Sequence, residues 1–299
     1  MDRSPIVLFV YARPEHTRKA LESLVQNKEA LESDLIIYSD GPKNKKVTHL
    51  VEQVRELVAN ISGFKSVTTY FSSSNIGLSR SIISGVSEVL EKYDRCIVLE
   101  DDLILSPHFL SFMNDGLSKY SDDSKVASIH GYVYPTQAYL PDNFFMKGTD
   151  CWGWGTWKRA WELFEPDGSV LLKNLVDHHL LDEFDLGGTY SYSGLLRKQI
   201  EGKIDSWAIR WHASIFLQNM LTLYPGNSLV HNIGNDKSGT HSGNYHFLDV
   251  QLYQNPIPVV DTEVRPSEVG YEAFVDFFSQ NKQTFSAKIL RSLLSPFQQ

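Results

Sequence analysis

The chain has 299 residues, enough for one large domain or two modest ones with a real hydrophobic core. Its 28 basic and 36 acidic side chains leave a net charge of −8, which argues against non-specific nucleic-acid binding. Only two cysteines occur, Cys96 and Cys151, so there is no disulfide framework and a reduced, cytoplasmic protein is expected.

The first apolar run, residues 5–11, is too short for the core of a signal peptide, and no stretch reaches the roughly eighteen apolar residues of a spanning helix. Neither a leader nor a membrane anchor is expected. Residues 6–11 read as a strand. Residues 14–26 read as a helix with Pro14 in its first turn and Ala20, Leu21 and Leu24 on one face. A second strand, 35–38, ends at the turn Ser39-Asp40-Gly41-Pro42. Helical spacing returns over 47–61, a third strand over 67–71 and a third helix over 78–93. A fourth strand covers 96–99, a helix 107–120 and a further strand 126–130. This alternation predicts an α/β fold with a mixed, mostly parallel sheet flanked by helices.

Beyond about residue 135 the order is less regular. Three of the six tryptophans fall in Trp152-Gly153-Trp154-Gly155-Thr156-Trp157. A helix is expected over 206–217 and a polar, glycine-rich loop over 232–243. Residues 268–297 look helical, and within them 286–297 form an amphipathic stretch that could touch an anionic membrane or pack as a terminal helix. The chain divides on this reading into a regular half (1–135), a less regular half (136–260) and a helical extension (261–299).

The chemistry concentrates at Glu100-Asp101-Asp102, which closes the apolar run Cys96-Ile97-Val98-Leu99. Adjacent carboxylates at the end of a buried strand are costly unless a cation or polar partners compensate. Ligands of open α/β sheets bind beyond the carboxyl ends of strands, so the triplet points to a divalent metal and a phosphate. Arg80 falls at a helix start, where backbone amides attract phosphate and an arginine adds a bidentate donor. Trp152 and Trp154, set between glycines, are candidates to stack on a sugar, whereas Trp157 and Trp161 are expected in the core.

The strand before Ala12-Arg13-Pro14, the Ser39-Asp40 turn, the triplet followed by Pro107-His108-Phe109, and the Gly-Trp-Gly-Trp segment occur in this order in GT-A fold glycosyltransferases. Over residues 5–245 the chain resembles the N-acetylglucosaminyltransferase I type and its bacterial relatives. That resemblance implies a GT-A (Rossmann-like) nucleotide-diphospho-sugar transferase, inverting, with a UDP-linked donor and Mn²⁺ or Mg²⁺ as cofactor. Its acceptor would be a glycan of a bacterial surface polysaccharide or a lipid-linked oligosaccharide. By the same resemblance Asp102 ligates the metal, Glu100 and Asp101 hold the ribose, uracil or sugar, and Arg13 and Asp40 line the nucleotide pocket. Asp205, just before a helix, is the base that takes the acceptor's proton; Glu162, Asp167 and Asp236 are its rivals, and a plain helix-capping role is the alternative. His241 would complete the metal shell from a closing loop, with Lys237 and Ser238 on the diphosphate.

Two other readings compete. A sugar-phosphate nucleotidyltransferase would also use metal at strand ends, but Ala12-Arg13-Pro14-Glu15-His16 lacks the glycine-rich loop such enzymes carry. A non-catalytic carbohydrate-binding protein of the same fold would have no need of the intact triplet.

Overall fold

Buried aliphatic strands set the architecture of the computed structural model, which describes residues 3–234 and 246–281. The first half alternates β1 (Ile6–Val10), α1 (Pro14–Val25), β2 (Asp34–Ser39), α2 (Thr48–Ala59), β3 (Ser66–Phe71), α3 (Leu78–Lys92) and β4 (Arg95–Glu100). All five residues of β1 are buried, the mark of a parallel strand covered on both faces. Ile6, Leu8 and Val10 pack with Leu24 of α1 and Val54 of α2 on one face. Val7 and Phe9 pack with Ile82 and Val86 of α3 on the other.

β5 (Leu103–Leu105), α4 (Phe109–Lys119) and β6 (Val126–His130) come next, followed by β7 (Asn143–Lys147) and β8 (Trp154–Trp157). Four helices, α5 (Lys158–Trp161), α6 (Gly168–Asp177), α7 (Leu181–Phe184) and α8 (Tyr192–Ile200), lead into α9 (Trp207–Leu217). β9 (Leu221–Pro225), β10 (Val230–Asn232) and α10 (Glu268–Gln280) follow. The main sheet has the order β3-β2-β1-β4-β8-β6-β9-β7, and β5 and β10 form a separate two-stranded ribbon. Six of the eight strands share one direction; β8 and β7 oppose it. This is the mixed, mostly parallel sheet flanked by helices that the alternation predicts.

The second half is more regular than its composition suggests. Trp154-Gly155-Thr156-Trp157 has no aliphatic run, yet as β8 it lies antiparallel between β4 and β6, with Val98 opposite Trp154. Gly155 eases close packing there, because a Cβ would stand 3.0 Å from Met113 Cε of α4 and 3.2 Å from the Cys96 carbonyl. Pairing on both sides and close helix packing make this segment a strand, and neither is written in its local pattern.

Candidate active site

The carboxyl ends of β2, β1 and β4 lie side by side, and the acids gather there. Arg13 leaves the end of β1 and donates through Nη2 to Asp101 Oδ1 and to Asp102 Oδ2, the latter at 3.0 Å. The Tyr11 amide donates to Asp101 Oδ2 at 3.3 Å. The side chains of Asp101 and Asp102 are only 5% and 14% exposed, so two adjacent carboxylates share one guanidinium in a poorly solvated place, with Glu100 next to them in the chain. Burial, then Asp102 and Asp101, push the Glu100 carboxyl up to about 8. Burial also raises the Asp101 carboxyl, against the opposing pull of Arg13. For Arg13, burial acts to lower the pKa, and the two aspartates more than reverse it, so the guanidinium stays charged. With all three acids ionised the cluster carries −3 + 1 = −2, which one divalent cation would balance.

The ribbon brings a second segment to the acids. β10 pairs with β5 so that Asn232 faces Leu103, and the Ile233 amide donates to the Asp102 carbonyl at 2.8 Å. Gly234 lies against the Asp102 carboxylate; a Cβ at this position would sit 2.1 Å from Oδ2. Lys237, Ser238 and His241, together with Asp236, lie outside the described residues, as does the stretch 286–297. Among the described residues no three His, Cys, Asp or Glu side chains converge as a metal cluster.

Asp40 is at the end of β2, but its carboxylate is already engaged. It accepts from the amides of Gly41 (2.8 Å), Ile76 (2.9 Å) and Gly77 (2.9 Å) and from Asn75 Nδ2 (2.9 Å). Four donors use the acceptor capacity of a carboxylate, so Asp40 shapes the loop leading to α3. Arg55, which the sequence did not single out, braces the same corner by donating to the Ser72 carbonyl at 2.6 Å and the Asp40 carbonyl at 3.3 Å. It sits on α2 in an ordinary amphipathic pattern, and no local signal marks it. Arg80 is exposed in the first turn of α3.

Asp205 precedes α9, and its side chain is 67% exposed. It is not the helix cap: Ser206 holds that position and accepts from the Ile209 amide at 3.3 Å. Asp205 Oδ1 lies 3.6 Å from Arg210 Nη2, which also donates to Ser79 Oγ of α3 at 2.8 Å. This pairing joins the starts of α9 and α3. Of its rivals, Asp167 caps α6 by accepting from the Ser169 amide at 2.8 Å, and Glu162 is exposed at the end of α5.

The two tryptophans expected to face a sugar separate. Trp152 is half-buried at the end of β4, edge-on to Tyr132 with ring centroids 4.8 Å apart. Trp154 corrects the expectation: it is 1% exposed and stacks on Trp207 at 5.3 Å, with Trp161 and Trp211 within 6.0 Å. A sugar cannot reach it. Strand alternation turns Trp154 toward α9 and α3, and the flanking glycines serve packing. Trp157 and Trp161 are core residues, as expected.

No protein-family model matches the sequence, and no curated protein matches it. Solved structures to which part of the chain is similar include the mannosyltransferase PcManGT from Pyrobaculum calidifontis, in complex with GDP-Man and Mn²⁺. It is 12% identical, with a TM-score of 0.30, over 44% of this chain and 36% of that one. A protein from Desulfovibrio desulfuricans described as a nucleotide-diphospho-sugar transferase is 14% identical, with a TM-score of 0.32, over 56% and 69% of the two chains. S. aureus TarS is 12% identical, with a TM-score of 0.29, over 46% of this chain and 23% of that one. This chain thus spans about a third of the mannosyltransferase and a quarter of TarS. Overlaps this small leave any functional reading to the site's own residues.

Proposed function

We propose that the protein is a metal-dependent glycosyltransferase that moves a sugar from a nucleotide-diphosphate donor, UDP-linked, to a glycan or lipid-linked oligosaccharide, with inversion. One observation carries the reading. At the carboxyl end of β4, Asp101 and Asp102 share a single guanidinium from the end of β1 with Glu100 beside them, in a poorly solvated place where a bound cation would favour the ionised carboxylates. Hard carboxylate oxygens suit Mg²⁺ or Mn²⁺, which are commonly held by one or two carboxylates plus substrate phosphates. Asp102 would hold the ion, and Gly234 leaves room beside its carboxylate. The metal, when bound, offsets the charge that develops on the leaving diphosphate.

The chain's own residues do the rest. Arg13 positions Asp101 and Asp102 and supplies a fixed cation beside the donor phosphates. Glu100 and Asp101 contact the donor. Arg80 and the loop that Asp40 and Arg55 shape border the nucleotide, and Trp152 offers a half-buried aromatic face. Asp205 accepts the proton of the acceptor hydroxyl as that oxygen bonds to the anomeric carbon and the bond from carbon to the diphosphate oxygen breaks. Its exposure suits a group that must meet an incoming substrate.

Binding and turnover of nucleotide sugars with Mn²⁺ or Mg²⁺ test this. Asp102→Asn should remove metal-dependent nucleotide binding. Asp205→Asn should keep binding and lose transfer by a factor of about a hundred or more. A protein that binds and hydrolyses no nucleotide sugar with either metal would refute the reading.

A further inference from the structure

Away from the acid triplet, a cavity of about 90 Å³ opens between β7, β9, α9 and α10. Its wall includes Thr149, Asp150, Tyr192, His212, Tyr224 and Phe274. That volume takes about three waters, or one polar arm of a larger ligand. The polar groups on the wall are not settled among themselves. Asp150 Oδ2 accepts from Tyr134 at 2.8 Å and from Tyr224 at 3.4 Å. Burial pushes its carboxyl up to about 6. Thr149 is 5% exposed and its Oγ1 has no hydrogen-bond partner. A buried hydroxyl without a partner costs about 1–3 kcal/mol, a penalty that a ligand's hydroxyl would relieve. Lys147, the basic side chain on the wall, is already committed: it donates to Glu183 at 2.8 Å and lies 4.2 Å from the centre of the Phe216 ring.

The cavity wall includes Thr149 and Asp150, on the segment that leads into β8. β8 runs antiparallel to β4 with Val98 opposite Trp154, so the residues just before β8 run beside the acidic end of β4. Cys151 follows Asp150 in the chain, and its thiol is raised by burial and by the fields of Asp150, Glu100 and Asp102.

We infer that this cavity is a saccharide subsite: it receives a hydroxyl-bearing arm of the acceptor sugar, whose O–H donates to Asp150 and whose oxygen pairs with Thr149 Oγ1, while the rings of Tyr192 and Phe274 pack its C–H face. The acceptor role rests on the transferase reading; saccharide binding itself does not. Tyrosine donors, a carboxylate and aromatic walls form the mixture that recognises a neutral polyol.

Saturation-transfer NMR with the methyl glycosides of glucose, galactose, mannose and N-acetylglucosamine tests the subsite. At least one should bind, and Thr149→Val and Asp150→Asn should each weaken it about tenfold or more. Thr149→Val should melt no lower than the parent, because it removes an unpartnered buried hydroxyl. Nucleotide binding with Mn²⁺ should be unchanged in that variant. If no glycoside binds, or binding survives both substitutions, the subsite is refuted, even where nucleotide binding upholds the transferase. If glycoside binding depends on Thr149 and Asp150 but no nucleotide binds, the subsite stands and the transferase reading falls.

Discussion

Arg13 is one guanidinium shared by two carboxylates with a third beside them, and its removal should be felt as unbalanced charge. Arg13→Gln is expected to lower stability by about 3 kcal/mol, the usual cost of stranding a buried partner. Mn²⁺ should raise the melting temperature of the variant more than that of the parent, as differential scanning calorimetry would show. Two histidines make a second residue-scale prediction. Burial lowers His130 to about 3 and His212 to about 4. Both are below the unfolded value of about 6.5, so the unfolded chain takes up their protons first. The stability they contribute is present above about pH 6.5 and is lost as pH falls towards about 4 and then 3. Glu100 and Asp150, raised to about 8 and about 6, act in the opposite sense over the same range, so the histidine contribution is read as a difference: between pH 7 and pH 4.5 the urea midpoint of His130→Gln should fall less, or rise more, than that of the parent. At this scale the sequence was informative where a residue stands out locally. The triplet closing a buried run was legible. The engagement of Asp40 and the setting of Asp150 were not, since three of the four donors of one (Asn75, Ile76 and Gly77) and a tyrosine donor of the other (Tyr224) lie far along the chain.

Among the elements, β8 carries two very different tryptophan environments at its start. Trp154→Ala should cost about 3–5 kcal/mol, because it empties the centre of a four-tryptophan cluster that joins β8 to α9. Trp152→Ala, at a half-buried position, should cost much less in equilibrium denaturation. The ribbon of β5 and β10 makes a separate prediction. Gly234→Ala places a methyl group against Asp102 Oδ2, so metal-dependent nucleotide binding should fall about tenfold or more, with an unfolding cost of about 1–3 kcal/mol from the overlap. Calorimetric titration beside a thermal melt would check both. The strands of the first half could be read directly, because aliphatic, β-branched and aromatic residues dominate them between helices of clear period. β7, β8 and β9 could not, since their strand character comes from neighbours across the sheet.

For the whole molecule, α10 closes the second half. Phe274, Phe277 and Phe278 pack with Phe144, Met146 and Tyr224 of β7 and β9. Ending the chain before residue 258 should expose that cluster, seen as dye binding and poor solubility. Alternation of elements conveyed the sheet and its flanking helices. It did not convey the strand order past β4, where pairing jumps to β8 before returning to β6. The two borders of this sheet also differ. β7 is occupied by the segment leading to α10: the Val260 amide donates to Asn143 Oδ1 at 2.9 Å, and Ser267 donates to the Phe145 carbonyl at 2.8 Å. β3, at the other border, is largely exposed and pairs with β2 on one side. Polymer growth by strand addition needs two free borders per subunit, and among the described residues one is free. Association through that border would end at a closed pair, so crowding should yield dimers in light scattering.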